Sequence, residues 1–200
     1  MALKRVLQAL CAGVIGCVVL SLCGFTGDCE RISDQVLRLH ILAASDSEED
    51  QALKLKVRDA ILAQTGDWFD GVQSRDEAEE RVRDLLPTIC RVAEQTLAQN
   101  GAAQEVSAAL CDMSFTTREY ENVTLPAGRY RALRVTIGEG KGQNWWCVCF
   151  PPLCVSSACE QELSDVLGDD GAQIVTQPER YEVRFKLVEW YVRLREWAGA

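Results

Sequence analysis

One histidine, His40, precedes Ser45 and Asp46 in LHILAASDSEED, and three cysteines, Cys147, Cys149 and Cys154, cluster in CVCFPPLC. These residues could do covalent chemistry. With His40 as general base, Ser45 or one of Cys147 and Cys154 could act as the nucleophile of a secreted Ser- or Cys-dependent hydrolase, and Asp46 could orient the imidazole in the serine version. Every version draws on the same histidine, because the chain has one. Ser45 also lacks the G-x-S-x-G context that lifts a nucleophile out of a strand-to-helix turn. A metal site asks for C-x-x-C pairs or several histidines, and the chain beyond residue 30 has neither. The reading that follows is a protein that is not an enzyme, with no cofactor and no metal.

The stretch GEGKGQN sets alternate glycines around Lys141. A phosphate loop needs G-x-x-x-x-G-K-[ST] leading into a helix. Here the segment leads into WWCVCF, a strand pattern, so it reads as a hairpin loop. In CVCFPPLC the two prolines must end any regular strand, and a Cys147–Cys154 bridge across that turn is one outcome in an oxidising compartment. Cys149 could replace Cys147 in it, and buried free thiols are the other outcome.

The chain has 200 residues, 48% apolar and 26% charged, with a formal net charge of −9. That composition fits one globular domain. Lys4 and Arg5 precede VLQALCAGVIGCVVLSLCGF, an apolar run long enough for either an export signal or a retained anchor. We divide the chain into a signal peptide or membrane anchor over 1–27, with any cleavage near Cys23 to Gly27, and a single domain over 28–200. The basic head places the domain outside the cytoplasm. Its acidity argues against nucleic acid and anionic headgroups as partners, which leaves the N-terminal segment as the one membrane contact.

The elements that must position these residues follow from periodicity. QVLRLHIL alternates Leu37, Leu39 and Ile41 with Arg38, His40 and Leu42, which predicts a strand over 36–42 with one face in the core. Ser47-Glu48-Glu49-Asp50 caps a helix with apolar stripes on two sides, Leu53, Val57 and Ile61 on one and Leu55 and Leu62 on the other. Ser74 starts a second helix, which Pro87 should kink or split, and its Glu77/Arg81 and Glu79/Arg83 pairs read as a solvated face. Strands follow over 105–115, 129–138 and WWCVCF, where adjacent Trp145 and Trp146 must face opposite ways. Pro178 opens a last helix. The fold class is α+β, a mostly antiparallel sheet of about four strands with helices packed against it.

Three stretches, LRLHILAASDSEEDQALKLKVRDAIL, YENVTLPAGRYRALRVTIGEGKGQNWWCVCFPPLC and YEVRFKLVEW, resemble the stage II sporulation protein R family. The resemblance implies a signalling protein made in the forespore and exported into the intermembrane space of the septum. There it would be needed for a membrane aspartic protease of the stage II GA type to process the pro-form of mother-cell sigma factor E. The family's cysteine pair resembles Cys147 and Cys154, with Cys149 and Cys159 additional. Where the family reads A-N-S-D, this chain has Ala43-Ala44-Ser45-Asp46. The resemblance is densest over 43–58, so the expected partner surface is Ser45, Asp46, Glu48, Glu49, Asp50, Lys54 and Arg58, with Trp145 and Trp146 as a further candidate.

Overall fold

In the computed structural model, which describes residues 2–120, 123–151 and 160–199, helix α1 (Ala2–Gln35) leads into strand β1 (Leu37–Leu42). Helices α2 (Glu48–Trp68) and α3 (Arg75–Gln99) follow, then β2 (Val106–Phe115) and a small hairpin of β3 (Arg118–Glu119) and β4 (Thr124–Leu125). Strands β5 (Gly128–Ile137) and β6 (Asn144–Phe150) precede α4 (Glu160–Thr176), a 3-10 turn (Pro178–Arg180) and α5 (Glu182–Trp197). The main sheet runs β2-β5-β1-β6. Only β1 and β5 pair parallel; β2 with β5 and β6 with β1 are antiparallel. The α+β class and the mostly antiparallel four-stranded sheet are therefore as expected.

Apolar clusters cover both faces of the sheet. On one, Leu37, Leu39 and Ile41 meet Val57 and Ile61 of α2 and Val82, Ile89 and Ala93 of α3. On the other, Val36, Tyr130, Ala132 and Val148 meet Phe25 and Ile32 of α1, Leu163 and Val175 of α4, and Phe185 and Val188 of α5. This second layer corrects the expectation that β1 buries one face. All six of its residues are buried, because an interior strand between two helical layers has no wet side. Arg38 and His40 go inside with it. The Arg38 guanidinium lies 4.2 Å from the Phe115 ring centroid and 4.9 Å from that of Tyr130, and donates to the Tyr120 hydroxyl at 2.7 Å.

Helix starts follow local chemistry. The Ser74 hydroxyl accepts from the Glu77 N–H at 3.3 Å while the Glu77 carboxylate accepts from the N–H of Gln73, one residue before the cap, at 2.9 Å, a variant of the expected capping box. Pro87 does not split α3, which continues as one element to Gln99; the packing of Val82, Ile89 and Ala93 on the sheet holds the turns on either side of it. The solvated face expected for α3 is tied down at one point, since Glu79 bonds Arg83 and also reaches Arg131 of β5 at 2.8 Å.

The expected boundary at residue 27 falls inside α1. Phe25, Cys29 and Ile32 of that helix are buried, and the Phe25 ring stacks on Tyr181 with centroids 5.5 Å apart. A cut at or beyond Phe25 would remove core. Among the described residues no helix is long and apolar enough to cross a membrane.

Candidate functional site

The turn from β1 into α2 is held by its own polar side chains. The Ser47 hydroxyl accepts from the Asp50 N–H at 3.2 Å, which is the expected cap. Ser45 donates to Asp50 at 2.5 Å, and Asp50 accepts a second bond at 3.0 Å from Gln104, across the top of β2. Gln51 donates to the Ser45 carbonyl at 2.8 Å. Three of the predicted site residues, Ser45, Asp46 and Asp50, therefore work first as structure.

What they hold is the glycine loop between β5 and β6. The loop's Lys141 and Gly142 amides donate to the carbonyls of Ala44 and Ala43 at 3.3 and 3.0 Å. Asp46 accepts from the Gln143 N–H at 2.7 Å, and the Lys54 ammonium donates to the Gln143 carbonyl at 3.0 Å and to Gln51 at 2.6 Å. Lys54 is buried, and that burial lowers its pKa while neighbouring Asp46 pulls the other way. The loop is thus clamped to the junction from two sides. The junction that the sequence offered as a docking surface and the glycine loop form one continuous surface.

Arg58, one helical turn on, lays its guanidinium 4.3 Å from the Trp145 ring centroid. Such a stack favours the cation electrostatically and extends the same surface to β6. Trp146 is not part of it. It faces the opposite side of the sheet, stacked on His40 with centroids 3.9 Å apart. Glu48 and Glu49 project from the first turn of α2, exposed and outside this network. The exposed chemistry of the surface is acidic side chains beside an Arg-Trp stack.

The covalent alternatives can be placed as well. His40 is 3% exposed, and its burial pushes the imidazole pKa down to about 4. Ser45 spends its hydroxyl on Asp50, and Asp46 serves Gln143. Cys149 is a free, buried thiol whose pKa burial raises to about 12, far from the thiolate a nucleophile needs. Cys154 lies outside the described residues, so the expected Cys147–Cys154 pair is described only at Cys147, which is disulfide-bonded.

Sequence reasoning missed Gln51, Gln104 and Gln143, which carry much of the clamp. Glutamines have no motif of their own; the one local signal was the position of Gln143 directly after the last glycine of the loop.

Residues 33–160 match the family described as stage II sporulation protein R. The chain is also 38% identical over 181 residues to stage II sporulation protein R of Bacillus subtilis (strain 168), covering 80% of this chain and 81% of that one. No solved structure matches.

Proposed function

The chain belongs to the stage II sporulation protein R family of sporulation signalling proteins, and from that premise we propose that it is exported from the forespore and acts by binding. Its partner is the membrane aspartic protease of the stage II GA type, which it switches on to process the pro-form of sigma factor E. The docking surface is the fused junction and glycine loop, with Glu48 and Glu49 as its exposed acids and Arg58 on Trp145 as its edge.

The observation that carries this reading is the clamp itself. Asp46 and Lys54 fix the backbone of Gln143, so loop and junction present one preorganised surface, and a rigid surface loses less entropy on docking. The hydrolase alternative is poorly served by a histidine stacked inside the sheet's second face. The test is reconstitution in cells that make the protease and its pro-sigma substrate, with and without this chain. Processing should depend on the chain, and processing to the same extent without it ends the proposal.

A further inference from the structure

The large apolar side chains that stay exposed among the described residues lie on two helices. Val6, Leu7, Leu10 and Leu20 are on the N-terminal half of α1, and the remainder, Val183, Leu187, Trp190, Tyr191, Leu194 and Trp197, are on α5. On α5 they are ordered. Val183, Leu187, Trp190, Leu194 and Trp197 recur at spacings of 4, 3, 4 and 3 residues, which at about 100° per residue makes one stripe. Phe185 and Val188, the residues that pack on the domain, lie on the other side of the helix. Trp190 is 65% exposed and Trp197 85%. This is a second apolar face that the described residues leave exposed.

Its flanks carry Lys186 and Arg193 on one side, exposed and each paired at 2.7 Å with a glutamate of the same helix, Glu182 and Glu189, and Arg184 and Arg195 on the other. The chain as a whole is acidic, with a net charge of −9, whereas α5 carries four basic side chains against three acidic ones. The two exposed apolar helices are also joined. Phe25 of α1 stacks on Tyr181 and meets Phe185 edge-on at 5.6 Å, and Arg195 reaches Glu30 at 3.6 Å. One medium can therefore cover both.

We propose that α5 is an interfacial membrane helix. Its Trp190 and Trp197 stripe lies at the headgroup level of an anionic phospholipid bilayer, beside the apolar half of α1, with the flanking arginines and Lys186 on lipid phosphates. An amphipathic helix with indole and aliphatic groups on one face and basic groups at its border has this preference, and tryptophan gathers at membrane-water interfaces. The 4-3 spacing would also suit a coiled-coil seam with a second copy. Two indoles in a five-residue stripe suit such a seam poorly, because its holes take branched aliphatic knobs. The proposal rests on export of the chain to a membrane surface, and it is independent of which protease is the partner.

The test uses the full chain reconstituted with vesicles containing phosphatidylglycerol, or phosphatidylcholine alone, each carrying lipids brominated close to the headgroup. The readout is tryptophan emission, compared with Trp190→Phe/Trp197→Phe, whose exposed sites leave the core untouched. The wild type should be quenched strongly, more so with phosphatidylglycerol, and the double variant should lose most of that quenching while still floating with the vesicles. Flotation with equal quenching in both proteins overturns the proposal and leaves the α1 reading standing. Cross-linking of α5 to a second copy without quenching overturns it in favour of self-association, and a chain that fails to float at all overturns both readings.

Discussion

A β-carbon on Gly142 would sit 2.1 Å from the carbonyl oxygen of Ser45. The loop after β5 and the turn after β1 touch backbone to backbone, and only a glycine allows it. Gly142→Ala must push them apart. Overpacking of this kind costs about 1–3 kcal/mol, which for a chain of this size lowers Tm by about 2–12 °C. Thermal melts check the number, and sigma-factor processing should fall with it. An unchanged Tm would mean that the clamp is soft.

Charge reversal at Glu48 and Glu49 separates docking from folding. Both side chains are exposed and sit in the first turn of α2, so their replacement by lysine opposes the helix dipole and costs about 1–2 kcal/mol in total. Processing in the reconstituted system should drop well beyond what that loss explains, while the ectodomain fold survives by circular dichroism. Wild-type processing would return the acids to a capping role alone.

His40 gives the protein an acid-sensitive stability. Burial holds its folded pKa near 4, with Arg134 of β5 pushing the same way, against about 6.5 in an unfolded chain. Between those values the unfolded state binds the proton and the folded state does not, so stability rises with pH across the window. The contribution is complete above about pH 6.5 and is lost as pH falls toward 4, a change of about 2–3 kcal/mol. His40→Phe keeps a flat ring against Trp146 and should flatten that part of the pH profile in urea unfolding. It should also keep processing activity. Complete loss of activity in a folded His40→Phe protein would restore the hydrolase reading.

The partner of Cys147 can be identified by counting thiols. If it is Cys154, then Cys154→Ser in the oxidised protein frees the Cys147 sulfur and adds one alkylation site under denaturing conditions, whereas Cys159→Ser removes one. Intact mass after alkylation reads both. The opposite pattern assigns the bridge to Cys159.

Much of the strand-helix order was legible because its signals are local, although α4 was not foreseen and Pro178 opens a 3-10 turn ahead of α5 rather than the helix itself. Alternation in QVLRLHIL, the Ser47 and Ser74 caps and the adjacent tryptophans each follow from a few neighbouring residues, and each is found in place. The clamp was not legible, because Asp46 and Gln143 are joined across a separation of 97 residues and nothing in either stretch names the other. Burial of Arg38 was hidden for a related reason. Its cover comes from Phe115, Tyr120 and Tyr130, brought over it by the β2–β5 pairing and the hairpin that links those strands. The contribution of α1 to the core was masked by its own composition, since an export signal and a buried helix look alike in apolar content.

The burial of Phe25, Cys29 and Ile32 against α4 and α5 sets a timetable. If the chain is exported N-terminus first, as proposed, these residues emerge before the α4 and α5 residues that cover them. Closing that face of the sheet requires contacts between the two ends of the sequence, the kind that form late in folding. The half-delivered protein can build the β1–α2–α3 side and still have no second layer. A receptor that recognises the finished shape would then respond only once α4 and α5 have arrived, and would ignore a chain stalled partway.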